Sequence, residues 1–220
     1  MHEDGAIVLF DFEAVFLSMM QSYLLTALEG IGVPASVLNF VKAIYDQNRC
    51  AISVGGGSFE GFAMGAGIRQ GCPLSLLLFA LTADLLLRTI SRSLPTSLVR
   101  AFADDTAVVM QALMRDSALL DNIFMEFGHA SGLHLNLQKC IIIPVGRHSH
   151  DSIVLSLQSS SARWTRMTFA DWGRYLGFAI GPGRDRHQWA SALGKYEQRA
   201  HQWARLGLVC NTTQQCMRPT

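Results

Sequence analysis

Residues 6–10, "AIVLF", form an unbroken apolar run, the pattern of a strand buried on both faces, and the run ends at Asp11. Apolar positions then recur with helical spacing from Leu17 to Leu28, and Glu29-Gly30 predicts the close of that helix with Gly30 as a left-handed cap. Pro34 opens a second predicted helix through about Asp46, with Val37, Phe40, Val41 and Ile44 on one face. "CAISVGGGSFEGFAMG" predicts a hairpin around Gly55, Gly56 and Gly57. "GIRQGCPLS" follows as a loop, and Pro73 falls in the first turn of a helix running to about Arg92. Two strand-like segments flank Asp104-Asp105, and a helix is predicted from Ser117 to Ala130, stopped by Ser131-Gly132. "CIIIPVG" predicts a strand, the Ser-rich "SLQSSSAR" a loop, "YLGFAIGPG" a strand running into a Gly-Pro turn, and Gln188–Leu206 a last helix. Strand, helices, hairpin, helix, hairpin, helix and strands give an α+β layer, helices packed on one side of a largely antiparallel sheet.

The polar interruption that demands an account is "RAFADDTAVVM", which sets two aspartates side by side in an apolar run. Adjacent like charges repel and lose hydration where buried. A solvated hairpin turn accommodates them without chemistry, since short carboxylates bond nearby backbone N–H groups. A divalent cation is the other account, because hard cations take oxygen ligands and need only one or two protein carboxylates. The topology above can bring Asp11, at the end of the first strand, beside Asp104 and Asp105. Three carboxylates in one place fit a solvated turn poorly.

With 220 residues and 50% hydrophobic content, the chain can bury a core for one domain, or for one domain plus an appendage. Its net charge of +1 neither demands nor excludes a polyanionic partner. Cysteines 50, 72, 140, 210 and 216 include no C-x-x-C pair, which argues against a disulfide framework and a cysteine zinc site and favours a reduced, intracellular setting. The start lacks a secretory pattern. The apolar window Leu74–Leu87 is broken by Thr82 and Asp84 and reads as too short to cross a bilayer, so no membrane partner is expected.

"FDFEAVF", "GIRQGCPLS", "FADD", "GLHLNLQK" and "YLGF" stand in this order along the chain. Together they resemble the palm of reverse transcriptases, and most closely the non-LTR (LINE-like) retrotransposon branch. The likeness covers about residues 6–183, and the last helix resembles the start of a thumb. It implies a polymerase palm at 1–183, lacking a fingers region upstream, and a truncated thumb at 184–220. The implied activity is RNA-directed DNA polymerisation on an RNA template from a DNA primer, with deoxynucleoside triphosphates as substrates. Fingers and endonuclease parts of a retroelement polyprotein would complete it. Two Mg²⁺ ions would be held by Asp11 and Asp104 with Asp105 assisting and the Phe12 carbonyl as a further contact, and two cations about 3.5–4 Å apart need such shared anionic ligands. Phe16 would exclude a 2′-hydroxyl, although a core phenylalanine explains it as well. Gly67, Arg69, Gln70 and Gly71 would line the nascent base pair and template. Lys139 would protonate the leaving pyrophosphate, and Tyr175, Leu176 and Gly177 would support the primer end.

The basic segment with Arg184, Arg186, Lys195, Arg199 and Arg205 could track a phosphate backbone, with Trp189 and Trp203 anchoring it to the palm. The chain departs from the family pattern at Leu17, where many relatives carry an acid, and at Leu76, where they carry proline. Without fingers, the chain alone is expected to show no appreciable polymerase activity. The other readings are a non-catalytic remnant that at most binds RNA, and a group II intron-type reverse transcriptase or maturase.

Overall fold

The computed structural model describes residues 4–147 and 150–205. Its centre is a five-stranded sheet in the order β4-β5-β1-β6-β7. The strands are β1 (Ala6–Phe10), β4 (Leu98–Phe102), β5 (Asp105–Met110), β6 (Ile141–Pro144) and β7 (Thr168–Phe169), while β2 (Arg49–Val54) and β3 (Gly57–Ala63) form the predicted hairpin as a separate antiparallel pair. β1 pairs antiparallel with β5 on one side and β6 on the other, β4 pairs antiparallel with β5, and β7 joins β6 in parallel. β1 is central because its apolar run satisfies both faces: Ala6, Val8 and Phe10 join the large core, while Leu9 joins a smaller cluster with Ala107 and Ile143.

Helices α2 (Gln21–Ile31), α4 (Pro73–Ser93) and α5 (Leu113–Ser131) contribute Leu24, Leu28, Leu78, Phe79, Leu120 and Phe124 to the large core. The predicted α+β layer is therefore the observed one. α5 begins a turn earlier than the sequence suggests. Its N-cap Ala112 offers no side chain, and Asp4 substitutes: its carbonyl accepts from the Leu113 N–H at 3.1 Å and its carboxylate from the Met114 N–H at 3.2 Å. α5 ends at Ser131-Gly132, as expected, and Gly132 takes the left-handed conformation.

Several expectations are corrected. The first helical segment is broken at Met19-Met20 into α1 (Val15–Ser18) and α2, and the left-handed cap is Gly32 rather than Gly30. In α3 (Ala35–Tyr45) the buried side chains are Leu38, Val41 and Tyr45, while Val37 and Phe40 face solvent, so the core-facing stripe is rotated. The Ser-rich stretch is helix α6 (His150–Ser160) followed by a 3₁₀ turn at Ala162–Arg166, because Ile153 and Leu157 one helical turn apart are both buried. "YLGFAIG" spans a hairpin of β8 (Gly173–Tyr175) and β9 (Phe178–Ile180).

The helix α4 is 21 residues long and holds an 18-residue window with a mean hydropathy of 1.7, long and apolar enough by length and composition to cross a membrane, so the shorter sequence window understated it. In this fold its face carrying Leu78, Phe79, Thr82, Leu86 and Ile90 is buried. Trp189, just ahead of α7 (Ala190–Arg205), and Trp203, on it, were expected to anchor the C-terminal helix but are 71% and 64% exposed. The last helix residue of the prediction, Leu206, and Cys210 and Cys216 lie outside the described residues.

Candidate functional site

The site is built by strand alternation. Phe10 and Phe12 point into the helix-side core, with ring centroids 4.4 Å (Phe10) and 6.0 Å (Phe12) from Phe124, and Phe10 meets Trp164 edge-on at 5.7 Å. Such aromatic pairs add about 0.5–1.5 kcal/mol each beyond area burial. With both neighbours committed inward, Asp11 must turn to the opposite face. On β5 the same rule applies. Ala107 stands opposite Leu9 on that face, so Asp105, two residues earlier, shares it with Asp11.

Asp11, Asp105, Lys139, Arg174 and Tyr175, with Leu9 and Ile141 beneath, line one cavity of about 80 Å³. Asp104 occupies the two-residue β4–β5 turn with Ala103, outside that wall, yet close enough for its charge to act on Asp105. The Asp105 carboxyl is raised above 3.8, first by partial loss of hydration and then by the negative charges of Asp104 and Asp11. Ala103 holds φ at +51°, and a non-glycine residue there costs on the order of 1–2 kcal/mol. The strain sits beside the carboxylates.

The Asn136 N–H donates to the Asp11 carbonyl at 2.8 Å and the Glu13 N–H to the His134 carbonyl at 2.8 Å, flanking the isolated bridge Phe12↔Leu135. In such a pair the enclosed residue's own carbonyl points to the other edge, here toward the β4–β5 turn. The available donors are therefore carboxylate and carbonyl oxygens, which suit a hard cation. Among the described residues no three His, Cys, Asp or Glu side chains are grouped to hold a metal unaided. The expected meeting of three carboxylates is thus reduced to two on the cavity wall, Asp11 and Asp105.

The hairpin β8–β9 lies over this face. Gly173 permits the approach, since a Cβ there would come within 2.6 Å of Leu9 Cδ1 and 3.1 Å of Ile143 Cδ1. Its turn is Leu176-Gly177, both with positive φ, as a type I′ turn requires. Tyr175 thus reaches the cavity. Its phenol is raised above 10.0 by partial burial and then by the charge of Asp105, against the lowering effect of Arg100.

The remaining candidates lie on the other side of the Asp11 loop. The segment ahead of α4 docks along it backbone to backbone, with the Gly67 N–H donating to the Met19 carbonyl and the Ile68 N–H to the Phe16 carbonyl, each at 2.7 Å. A Cβ on Gly67 would sit 3.1 Å from the Phe16 and Leu17 carbonyls, so Gly67 serves this contact and is itself buried. Phe16 is half-buried, its ring 6.1 Å from Phe79. Gln70 and Gly71 are exposed, and Gly71 has φ +79°. Arg69 points elsewhere: its guanidinium donates to the Ile44 carbonyl (3.0 Å) and Asn48 Oδ1 (3.1 Å), stapling the loop to the end of α3. Leu17 and Leu76 are both solvent-exposed.

Two participants were not visible in the sequence. Arg174 joins the cavity wall. Cys140, wholly buried, sits under Asp11, and burial pushes its thiol up to about 11.

Residues 2–180 match the family described as reverse transcriptase (RNA-dependent DNA polymerase). The chain is 30% identical over 200 residues to the retrovirus-related Pol polyprotein from type-2 retrotransposable element R2DM of Drosophila melanogaster, covering 86% of this chain and 19% of that protein. It is 26% identical over 118 residues to the transposon TX1 uncharacterized 149 kDa protein of Xenopus laevis, covering 50% of this chain and 9% of that one. The chain therefore spans under a fifth of the length of these relatives. In fold it resembles apo telomerase from Candida tropicalis (TM-score 0.62, 12% identity, 82% of this chain and 32% of that one). The telomerase of Candida albicans, solved with a telomeric RNA fragment, is similar too (TM-score 0.57, 13% identity, 81% and 29%).

Proposed function

For a chain that belongs to the reverse transcriptase family, with a polymerase palm fold and retroelement relatives, we propose that the Asp11–Asp105 cavity is a nucleotidyl-transfer site for RNA-templated DNA synthesis. The observation that carries this is the placement of Asp11 and Asp105 on one sheet face, with Asp104 acting on Asp105 and Lys139 on the same wall. Asp11 and Asp104 are the principal carboxylates for two Mg²⁺ ions, with Asp105 assisting and the Phe12 carbonyl as a further oxygen. Bound there, the cations would activate a primer 3′-hydroxyl and neutralise the triphosphate.

The chain's own residues supply the rest. Lys139 gives a proton to the departing pyrophosphate. Phe16 stands under the sugar of a deoxynucleoside triphosphate and leaves no room for a 2′-hydroxyl. Gln70 and Gly71 border the new base pair, Gly71 letting backbone approach it. Arg69 contributes by holding their loop to α3. Tyr175, Leu176 and Gly177 carry the primer terminus, which the cover of the hairpin over the sheet favours. An RNA template, a DNA primer and the remaining polyprotein are the partners.

The test is Mn²⁺ binding by electron paramagnetic resonance, with and without a deoxynucleoside triphosphate. The expected result is binding that the triphosphate tightens, that Asp11→Asn and Asp104→Asn each weaken by at least about tenfold, and that Asp105→Asn weakens less. Binding indifferent to the Asp11 and Asp104 substitutions overturns the assignment and favours a non-catalytic remnant.

A further inference from the structure

The peptide of Asp11 is held by a group that neither the sheet nor the motifs announce. β1 pairs with β6 as far as Leu9↔Ile141, and pairing resumes at the bridge Phe12↔Leu135, so the ladder lapses at Asp11. In the gap the Asp11 N–H donates to Cys140 Sγ at 3.4 Å, and the thiol donates back to the Asp11 carbonyl at 3.8 Å. The Asn136 N–H reaches that same carbonyl at 2.8 Å. The turn from Asn136 to Cys140 is itself closed by the Lys139 N–H (2.9 Å) and the Cys140 N–H (3.1 Å), both donating to the Asn136 carbonyl.

One short turn therefore grips the Asp11 peptide at two points and presents Lys139 to the cavity that Asp11 lines. Cys140 is 0% exposed, so water cannot take over the thiol's place. We propose that Cys140 is a positioning residue: its thiol fixes the Asp11 backbone, and through the Asn136–Cys140 turn it fixes Asp11 relative to Lys139. The role in catalysis rests on the nucleotidyl-transfer reading above, whereas the grip on Asp11 stands on the hydrogen bonds alone.

The chemistry predicts an ordering of variants. Serine keeps a donor and acceptor of similar size. Alanine removes both and leaves the part-buried Asp11 N–H without this partner. The loss should appear at Asp11 before it appears in the rest of the fold.

The experiment measures amide hydrogen exchange by NMR on the full chain in wild type, Cys140→Ser and Cys140→Ala. Alanine should speed exchange at Asp11 by at least about tenfold relative to Leu9, while serine keeps it within about threefold. Mn²⁺ affinity by electron paramagnetic resonance should follow the same order. Leu28→Ala, a buried change on α2, should lower the unfolding temperature without altering either readout. Unchanged Asp11 exchange in Cys140→Ala overturns the proposal, as does a serine variant that exchanges like alanine. A wild-type chain that binds no Mn²⁺ counts against the catalytic reading and leaves the exchange comparison to decide the grip on Asp11.

Discussion

Asp11 and Asp105 face each other across β1 and β5 because Leu9 stands opposite Ala107 in the register of those strands. One step of slippage would send one carboxylate into the helix-side core and leave the other in water. Register is held by the apolar partners on both faces, Phe10 and Val108 on one and Leu9 and Ala107 on the other. The site is thus specified by packing several residues away from it.

The raised Asp105 carboxyl makes a pH prediction. Its folded form binds a proton more tightly than the ordinary value of 3.8, so the stability it contributes is complete below 3.8 and is lost as pH rises through the folded value. At neutral pH its charge is a burden. Asp105→Asn should therefore raise the unfolding temperature at neutral pH, with the gain shrinking on acidification. Added Mg²⁺ should stabilise wild type more than the variant. Circular dichroism melts check this, and a variant less stable than wild type at neutral pH contradicts it.

Asp121 is buried on α5 and accepts from Trp164 Nε1 at 2.7 Å, with Arg163 Nε 3.2 Å away. Burial raises its carboxyl, opposed by the Trp164 bond and the Arg163 charge. Asp121→Ala strands the indole N–H beneath Phe10 and should cost about 2–3 kcal/mol. Asp121→Asn keeps an acceptor and should cost less. Urea unfolding distinguishes them, and equal losses would show that the indole bond is not what matters.

Phe16→Ala tests a residue with two possible duties. Losing its contact with Phe79 should destabilise by about 1–3 kcal/mol, below the range for a fully buried ring. If the ring also selects the sugar, the variant joined to a fingers region should admit ribonucleotides. Comparing incorporation of a ribonucleotide with its deoxy counterpart decides. Discrimination equal to wild type confines Phe16 to packing.

Two glycines should respond oppositely to alanine. A Cβ on Gly132 would lie 2.4 Å from the Ser18 carbonyl at φ +78°, beside the Met20 N–H to Ser131 carbonyl bond that joins α5 to the Asp11 loop. Gly132→Ala should cost about 2–3 kcal/mol. Gly30 lies in α2 with nothing within 4 Å of its Cβ, and Gly30→Ala should stabilise by about 0.5–1 kcal/mol. Denaturant midpoints of the two variants provide the check.

The central strands were legible in the sequence because their apolar runs are short and end in punctuation: Asp11 after β1, Asp104 between β4 and β5, Pro144 at the end of β6. Helix α6 was hidden because the serines of 156–161 mask the Ile153–Leu157 spacing that buries it. The β8–β9 turn was hidden because leucine at φ +50° carries no turn signal. Gly30 and Gly32 are equally plausible caps by composition, and only the length of α2 chooses. The motif carboxylates could be named in advance. The Cys140 contact could not, since a cysteine ahead of "IIIP" reads as one more apolar residue, and its hydrogen bonds exist only once Asp11 has been folded against it.

Three of the four tryptophans mark two optical extremes, with the half-buried Trp172, stacked on His187, between them. Trp164 is sealed in the core against Phe10, while Trp189, just ahead of α7, and Trp203, on it, stand in water. An indole in an apolar interior emits to the blue of one in water, so the emission spectrum should be composite. A soluble quencher such as iodide should extinguish the red component and spare the blue. The blue fraction then acts as a gauge of the sheet under Asp11, and any molecule that settles on α7 will announce itself in the red fraction alone.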